Sequence, residues 1–589
     1  MQHIQSILED RIRAAIAATL ASDAIAMLPG ELPGTLPGVR PSTHPRFGDY
    51  QANVAMGLAK QLKRKPREVA QQIVDHLDVA GLCEKVEIAG PGFINLHLTQ
   101  QCLSDQAGAM AADQRLGVAR ADRPETVVVD YSAPNVAKEL HVGHIRSTCI
   151  GDAIVRVLEY LGHRVIRQNH LGDWGTQFGM LVELLTDQGW EAGGKQHIAD
   201  LDELYRQAQR RFEADATFAE RGRQRVVALQ AGDKPTLKIW KHLIDESMLH
   251  FNAVYRRLGV LLVDGDVCGE SFYNPMLADV VADLEAKGLA TLSDGAMCVF
   301  PPGFVNREGE PAAMIVRKSD GGYLYATTDV AAVRYRVETL KATRLIYVTD
   351  SRQAQHHAMV FKAAELAGWL PDTVRAEHVP FGTILGKDSR PFKTREGGTV
   401  KLADLLDEAE QRAAAIITEK NPDLSADQRQ VVARAVGIGA IKYGDLSGDR
   451  VKDYVFDWDR MLAFDGNTAP YLQNAYVRIQ SIFRKGEIDA GVLSDVAITV
   501  ADPAERALVL KLLQLPETVA AVADALEPHR LCNYLYEVAS LYHQFYERCP
   551  VLKADSPALR DSRLRLSDLT ARALAQGLHL LGIETLERM

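Results

Sequence analysis

The sequence has no apolar run long enough to span a bilayer, no internal repeat and no low-complexity tract. Its first twenty residues, MQHIQSILEDRIRAAIAATL, carry Glu9 and Asp10 where a signal peptide has its apolar centre, so they predict an amphipathic helix. We therefore expect a cytoplasmic protein. A length of 589 residues exceeds what one hydrophobic core supports, which predicts several domains.

Metal-binding and phosphate-loop patterns are also missing. The seven cysteines are scattered and none forms a CxxC pair, so buried thiols are favoured over zinc or disulfides. The pattern GxxxxGK[ST] does not occur, so any ATP must bind without a phosphate loop. The net charge of −10 argues against a chain coated by nucleic acid but permits local basic patches. Residues 60–67 form one such patch, which either contacts RNA or is a solvated helix face.

The amino-terminal pattern predicts a small α+β domain over residues 1–115. Residues 30–45 are rich in proline and glycine and predict a loop, whereas residues 50–78 have a helical pattern. The segment VEIAGPGFINLHL (86–98) alternates around a turn, which is typical of two strands.

A strand–helix–strand pattern begins at Thr126. TVVVDY (126–131) suits a buried parallel strand, a helical face runs from Ile145 to Leu161, and HRVIRQ (163–168) suits the next strand. This order predicts a nucleotide-binding type of parallel sheet. Residues 190–300 have mostly charged helical patterns and predict an insertion. The sheet pattern resumes at 344–350, and everything after about 400 is predicted helical, with long amphipathic stretches at 401–419, 467–485, 504–527 and 530–548.

The motif HVGH (141–144) lies where the first of these strands passes into the helix. A helix start offers unpaired N–H groups and a positive dipole end to phosphate. Gly143 allows adenine to approach the backbone closely, and His141 and His144 can donate hydrogen bonds to phosphate oxygens, more strongly if protonated. Without a phosphate loop, this motif favours enzymes that attack the α-phosphate of ATP.

Seven segments, quoted at the end of this paragraph, resemble the arginyl-tRNA synthetase family of class I, in the family's order and over nearly the whole chain. The second is a glycine-rich turn that borders the active site in this family. The segments are DYSAPNVAKELHVGH (130–144), NHLGDWGTQFG (169–179), SDGGYLYATTDVAAVRYR (319–336), YVTDSRQAQHH (347–357), FGTILGKDSRPFKTREGGTVKLADLLDEA (381–409), NTAPYLQNAYVRI (467–479) and EPHRLCNYLYEVASLYHQFYERCPVL (527–552).

The resemblance implies an α/β Rossmann-type parallel-sheet catalytic domain between an amino-terminal α+β tRNA-binding domain and a carboxy-terminal all-α anticodon-binding domain. The expected boundaries are 1–115 for the amino-terminal domain, 120–400 for the catalytic domain with its insertion at about 190–310, 401–455 for a helical connector and 456–589 for the anticodon-binding domain.

The resemblance also implies an arginine pocket. Asp329 and Tyr325 are expected on the guanidinium side, because a planar five-donor fork is best held by carboxylates, and Ser132, Asn135 and Gln353 on the α-amino and carboxylate side. The full expected set is Asp130, Ser132, Asn135, His141, Tyr325, Asp329 and Gln353. Lysine cannot satisfy such a fork, so we expect discrimination without editing and an insertion that has no hydrolytic site.

The mobile lysine loop of class I enzymes corresponds here to RPFKTREGG (390–398), which departs from the KMSKS consensus. Lys393 is the nearest candidate for the catalytic lysine. Many family members compensate with a lysine just before HxGH, and Lys138 occupies that place. The catalytic candidates are therefore Lys138, Lys393, His141 and His144. ATP would bind at Lys138, His141, Gly143 and His144.

The implied reaction is formation of arginyl-adenylate from ATP with Mg²⁺, followed by transfer to the 2′-OH of the terminal adenosine of tRNA(Arg). Family members are usually monomers and need bound tRNA before activation. Phe93 could stack on a tRNA base and Asn95 pair with an adenine edge, although a strand phenylalanine and a turn asparagine would look the same. The candidate anticodon contacts mix aromatic and basic groups and are Tyr471, Asn474, Tyr476, Arg478, Arg530 and Tyr534. Aromatic residues at helical spacing are more often core residues.

Three other functions stay open on the sequence. A class I synthetase for cysteine would need a zinc–thiolate pocket, and one for glutamine would not need two facing acids. An inactive tRNA-binding paralogue would be favoured by loss of the histidines or acids, all of which are present. A small nucleotidyltransferase would not need the helical domain that ends the chain.

Overall fold

The computed structural model of the protein describes residues 3–22, 38–190, 198, 200–392 and 400–589. Its first unit combines helices with a four-stranded antiparallel sheet of order β1-β2-β4-β3. The elements are α1 (Ile4–Ser22), β1 (Arg40–Pro41), β2 (Tyr50–Ala52), α2 (Val54–Leu62), α3 (Pro66–Asp75), β3 (Cys83–Ala89), β4 (Phe93–Leu98) and α4 (Gln100–Ala112). The amphipathic first helix and the paired strands at 86–98 are confirmed.

The helical stretch expected over 50–78 is instead a short strand and two helices. Lys63 adopts a left-handed conformation (φ 52°) and ends α2, and Pro66 begins α3. The turn between β3 and β4 packs on this second helix start, since a Cβ at Gly92 would lie 2.9 Å from the Pro66 carbonyl oxygen. The first half of the loop predicted at 30–45, residues 30–37, lies outside the described residues, and the second half contains the short strand β1.

The second unit alternates strands and helices and carries a long insertion. It begins with β5 (Thr126–Asp130), α5 (Val142–Tyr160), β6 (Arg164–Gln168) and α6 (Thr176–Asp187). The insertion adds α7 (Leu201–Ala214), α8 (Ala216–Gln230), α9 (Lys234–Leu258), α10 (Asn274–Ala286), β7 (Ala290–Ser293), β8 (Ala296–Val299) and β9 (Met314–Arg317). The unit closes with α11 (Tyr325–Glu338), β10 (Arg344–Asp350), α12 (Ala354–Leu366) and β11 (Arg375–Phe381).

The central sheet is parallel throughout, with strand order β11-β10-β5-β6. Its register places Gln168 and Asp130, the last residues of β6 and β5, in one row with Tyr347 and His378 of the longer strands β10 and β11. Ligands of open α/β sheets bind at this edge, where the strand-to-helix loops meet. The predicted parallel sheet is confirmed, whereas the strand β11 is not among the predictions.

The carboxy-terminal part is almost entirely helical, as predicted. Its elements are β12 (Ile384–Leu385), α13 (Leu402–Lys420), α14 (Ala426–Leu446), β13 (Tyr454–Val455), α15 (Trp458–Met461), α16 (Ala469–Gly486), α17 (Pro503–Leu512), α18 (Leu515–Ala525), α19 (His529–Arg548) and α20 (Pro557–Leu580). The stretch expected over 504–527 is two helices, because Pro516 has no N–H to continue a helix and instead begins α18. Among the helices that the structure describes, none combines the length and apolarity needed to cross a bilayer.

A buried ion pair joins the helical part to α5, the helix that follows strand β5. Arg146 of α5 donates to Asp445 of α14 at 2.9 Å, and their side chains are 2% and 0% exposed. Lys442, also in α14, donates to the Leu258 carbonyl at the end of α9. Helix α5, which starts at HVGH, is therefore held from both the sheet and the helical part.

Candidate active site

His141 and His144 close the amino end of α5 with their own rings. Nδ1 of His141 accepts the Gly143 N–H at 3.1 Å, and Nδ1 of His144 accepts the His141 N–H at 3.1 Å. Both rings therefore carry a proton on Nε2. Burial lowers the pKa of His144 to about 3 and also lowers the pKa of His141. The helix start thus offers two neutral N–H donors, rather than the imidazolium cations that would donate more strongly.

The loop between β5 and α5 follows a strained path. Ser132, Ala133 and Ala137 have φ of 68°, 45° and 62°, and left-handed conformations of this kind cost roughly 1–2 kcal/mol for non-glycine residues. The Ser132 N–H donates to Ser147 Oγ at 2.9 Å, and the Ala137 N–H donates to Ser247 Oγ at 3.0 Å. Neighbouring helices α5 and α9 hold this path in place.

Ser132 and Asn135 differ in their access to a ligand. The Ser132 hydroxyl is buried, lies 2.7 Å from the Tyr255 hydroxyl and accepts from Thr148 Oγ1 at 2.9 Å. Asn135 is exposed. Its Oδ1 lies against Gly172, since a Cβ added to that glycine would be only 2.1 Å from the oxygen. The serine is part of the wall, and the asparagine faces open space.

The structure describes only one of the two candidate lysines. Lys138 is half-buried, with Nζ 4.2 Å from the centre of the Tyr205 ring on α7. Lys393 lies outside the described residues. Where the chain resumes, the Val142 N–H donates to the Val400 carbonyl at 3.0 Å. The chain just after RPFKTREGG therefore lies against the HVGH turn.

Asp130 forms an internal ion pair. Arg336 donates from Nη2 to Asp130 Oδ2 at 2.6 Å and from Nε to Gln168 Oε1 at 2.6 Å. Its guanidinium carbon lies 4.8 Å from the centre of the Tyr347 ring. The side chains of Arg336 and Asp130 are 1% and 7% exposed. The row of residues at the carboxyl edge of the sheet thus already binds an arginine, one that belongs to the chain.

Asp329 lies one helical turn after Tyr325 on α11. Its Oδ2 is 2.5 Å from Nε2 of His356, and its Oδ1 is 3.8 Å from Nε2 of His170. Burial raises the pKa of Asp329. The hydrogen bond to His356 and the electrostatic effect of His356 and His170 outweigh burial and hold that pKa below its ordinary value. The Tyr325 ring is 62% exposed and lies 4.9 Å from the His356 ring. An ionised carboxylate and an accessible aromatic ring therefore share one site.

The two acids singled out in the sequence lie in the same region. Burial raises the pKa of Tyr347 to about 12, and Asp130 and Asp329 both act in the same direction. Gln353 precedes α12 and is exposed. The structure thus brings Asp329 and Tyr325 together around His356, places Gln353 three residues before that histidine, and directs Asp130 to an internal partner.

Glu270 is a further acid of this site that the sequence did not reveal. It begins a 3-10 helix (Glu270–Tyr273) between α9 and α10, which is too short for a periodic pattern to mark it. Burial, and after it the carboxylates of Asp329 and Asp173, raise the pKa of Glu270 to about 8. The backbone N–H of Trp174 acts in the opposite direction and lowers that pKa. Glu270 and Asp329 therefore stand close enough for each charge to affect the other.

Three family models match the chain, one for each structural part. The model described as "tRNA synthetases class I (R), catalytic domain" matches residues 107–458, and so covers more than half of the chain. The chain belongs to the arginyl-tRNA synthetase family. The "Arginyl tRNA synthetase N terminal domain" model matches residues 6–98, and the "DALR anticodon binding domain" model matches residues 472–589.

Relatives in the arginyl-tRNA synthetase family are similar over nearly the full length. The arginine–tRNA ligase of Salmonella dublin is 55% identical over 544 residues, which is 92% of this chain and 94% of the relative. The arginine–tRNA ligase of Klebsiella pneumoniae strain 342 is 54% identical over the same shares. The crystal structure of the Plasmodium falciparum arginyl-tRNA synthetase matches with a TM-score of 0.86 at 28% identity, and that of Thermus thermophilus with 0.80 at 27%, each covering 100% of both chains.

These matches confirm the resemblance and the predicted three-part fold. They set aside a synthetase for cysteine or glutamine and a small nucleotidyltransferase. Membership of class I also carries the use of ATP.

The amino-terminal candidates of this family member differ in exposure. Phe93 begins β4 and is half-buried above the turn at Gly90. Asn95 is 1% exposed, and its Oδ1 accepts from Gln51 Nε2 at 2.7 Å. Phe93 is accessible to a stacking partner, whereas the Asn95 side chain is bonded within the sheet.

In the region of the anticodon-binding model, a groove of about 1090 Å³ lies between the start of α14, α16, α19 and the carboxy-terminal residues. Asn474 and Arg478 line it, and Arg478 Nη1 lies 2.9 Å from Nδ1 of His543, another lining residue. Tyr534, by contrast, is buried and donates to the Leu512 carbonyl. Two of the sequence candidates thus reach an open surface and one is a core residue.

Proposed function

We infer that the chain activates L-arginine with ATP and transfers it to tRNA(Arg). The observation that carries this function is the ionised Asp329 beside the exposed Tyr325, at the carboxyl edge of the sheet that leads into HVGH. An anionic, partly aromatic site next to a phosphate-binding helix start suits a substrate with a cationic side chain and a carboxylate that attacks ATP.

The guanidinium of arginine would bind against an arginine seat, by which we mean Glu270, Tyr325 and Asp329. Two carboxylates can accept its forked donors, and the Tyr325 ring can stack on its face. Binding would draw Asp329 away from His356, whose pairing at 2.5 Å it replaces. Lysine offers three donors on a point charge and would leave part of the seat unsatisfied.

The other pocket candidates act at the opposite end of the substrate or from behind. The exposed Asn135 and Gln353, with His141, are proposed to hold the α-amino and carboxylate groups. Ser132 supports them as part of the wall. Asp130 is proposed to act through Arg336, because its carboxylate is bonded to that side chain at 2.6 Å.

ATP would bind at the start of α5. The Nε2–H groups of His141 and His144 and the ammonium of Lys138 are donors that fit phosphate oxygens, and exposed Gly143 leaves the backbone open to adenine. Lys393 stays a second candidate for the same task. We propose that Mg²⁺ accompanies ATP on its phosphate oxygens, since the side chains gathered here are hydrogen-bond donors rather than metal ligands.

The chemistry needs alignment and positive groups, with no covalent enzyme intermediate. An oxygen of the arginine carboxylate attacks the α-phosphorus, the bond to the β-phosphate oxygen breaks, and pyrophosphate leaves. The 2′-OH of the terminal adenosine then attacks the adenylate carbonyl, AMP leaves, and the hydroxyl proton is lost. The histidine N–H groups and Lys138 stabilise charge that builds on the phosphates.

The two end domains are proposed to bind the tRNA. The groove lined by Asn474 and Arg478 is open and partly basic, as a site for unstacked anticodon bases should be. Phe93 is the proposed stacking residue of the amino-terminal domain, with Asn95 placed beneath it in the same strand. We propose that the domains span residues 1–115, 120–400, 401–455 and 456–589. We also propose that the protein is a monomer and lies in the cytoplasm. The insertion at about 190–310 is proposed to have no hydrolytic site, and its one contribution to the arginine seat is Glu270.

The test is ATP–pyrophosphate exchange by the full chain with each of the standard amino acids, with and without tRNA(Arg). Exchange with arginine alone, and only when tRNA is present, supports the proposal. Exchange with another amino acid, or none with arginine in the presence of tRNA, overturns it.

A further inference from the structure

The turn at residues 171–174 holds the segment that carries Glu270. The Glu270 N–H donates to the Leu171 carbonyl at 3.0 Å. Asp173 Oδ1 accepts the Ser271 N–H at 2.8 Å, and Asp173 Oδ2 accepts the Ser271 hydroxyl at 2.6 Å. Three hydrogen bonds thus fix residues 270 and 271 to a turn from another part of the chain.

Asp173 is itself immobilised and tightly packed. It is 4% exposed, and its carbonyl oxygen accepts from Trp240 Nε1 at 2.8 Å. A Cβ on Gly269 would lie 2.4 Å from Asp173 Oδ2, so only glycine lets the segment approach this closely. The carboxylate is therefore a rigid support directly behind Glu270.

The Glu270 carboxylate lies within the electrostatic reach of Asp329 and of the Trp174 N–H. We propose that Asp173 is a positioning residue for arginine selection, which holds Glu270 in the arginine seat. This inference rests on the proposed seat of Glu270, Tyr325 and Asp329.

The charges around Glu270 determine the expected pH response. Asp329 and Asp173 both disfavour its ionised form. His356 acts on Asp329, and His170 acts on both Asp329 and Asp173. Loss of the negative charge at residue 173 should therefore let Glu270 ionise at lower pH.

The test is tRNA-dependent ATP–pyrophosphate exchange by the full chain carrying Asp173→Asn, measured from pH 6.5 to 9. Asparagine can still accept the Ser271 N–H but cannot accept its hydroxyl. At pH 9 we expect KM for arginine to rise about tenfold, as for loss of a charge-assisted hydrogen bond. KM for ATP should stay within about twofold, and the pH midpoint of the arginine KM should fall by roughly half a unit.

Asp233→Asn is a matched control, because Asp233 accepts the N–H and the hydroxyl of Thr236 at 3.0 and 2.6 Å in the insertion. It should leave both KM values unchanged. Ser271→Ala is a milder variant, which should raise the arginine KM a few-fold without moving the midpoint, since the charge at residue 173 stays.

An arginine KM within twofold of the parent, an equal rise in the ATP KM, or an unmoved midpoint in Asp173→Asn overturns the inference. Glu270→Gln separates this failure from failure of the seat. If Glu270→Gln binds arginine like the parent at every pH, the seat itself is wrong. If Glu270→Gln abolishes the pH dependence while Asp173→Asn behaves like the parent, only the role of Asp173 is wrong.

Discussion

Asp329 Oδ2 and His356 Nε2 are 2.5 Å apart, and this contact holds the acid on which the arginine seat is centred. The histidine keeps the carboxylate ionised while no substrate is bound. A guanidinium that binds here takes the place of His356 as the partner of Asp329. The carboxylate therefore always has a cationic or hydrogen-bonding partner in this partly buried site.

Asp329→Asn should raise KM for arginine by at least roughly 100-fold, because a neutral amide replaces the charge that pairs with the guanidinium. KM for ATP should change little. Glu338→Gln, at the far end of the same helix α11, is the control and should behave like the parent. Equal losses in arginine and ATP binding would show that Asp329 supports the fold rather than the substrate.

Arginine should bind more tightly as pH rises from 7 to 9. The pKa of Glu270 is raised to about 8 by burial and two nearby acids, so it is mostly protonated at pH 7 and mostly ionised at pH 9. If only the ionised form pairs with the guanidinium, KM should fall about tenfold over this range. Steady-state exchange at saturating ATP measures it, and a flat profile would exclude Glu270 from the seat.

Arg336→Met should unfold the protein more readily, because it leaves the buried Asp130 carboxylate without a partner. Breaking such a pair costs about 3–5 kcal/mol. The double variant with Asp130→Asn should recover part of that loss, since the unpaired charge is gone. Denaturant unfolding tests the coupling. Additive losses, or an arginine KM in Asp130→Asn as high as in Asp329→Asn, would instead make Asp130 a direct ligand.

His144→Asn should keep the fold and lose catalysis. The asparagine Oδ1 can replace Nδ1 as acceptor for the His141 N–H, but nothing replaces the Nε2–H donor. We expect kcat for exchange to fall by roughly 10²-fold, with the melting temperature nearly unchanged. A parental kcat in a folded His144→Asn variant would remove this residue from the phosphate site.

The neutral state of these rings gives a separate pH prediction. Burial lowers the pKa of His144 to about 3, so protonation near the ordinary histidine pKa of about 6.5 should not occur. At saturating arginine, kcat should therefore stay level between pH 6 and 8. A step of activity centred near pH 6.5 would mean that a histidine of HVGH works as a cation.

The elements around the site follow from local patterns. A run such as TVVVDY and the apolar face from Ile145 onward need only their neighbours to form β5 and α5. The partners of the acids do not follow from local patterns. Asp130 and Arg336 are joined across 206 positions, and Asp173 and Ser271 across 98. Which acid faces the substrate and which is neutralised inside depends on these distant pairings.

Two further differences have local causes that the apolar pattern does not show. Pro516 divides one amphipathic stretch into α17 and α18, because a missing N–H outweighs an uninterrupted apolar face. Glu270 begins a 3-10 helix that is too short to show periodicity, so only the folded chain reveals that it lies within electrostatic reach of Asp329.

The most direct test of the arginine seat compares arginine with citrulline, its neutral and nearly isosteric analogue, in tRNA-dependent exchange. The ratio of kcat/KM for arginine over citrulline should exceed roughly 10³ in the parent and collapse toward about 10 in Asp329→Asn, since Glu270 is then the only acid of the seat that favours a cation. A parental ratio below 10, or one that Asp329→Asn leaves unchanged, would contradict recognition of the guanidinium by Asp329.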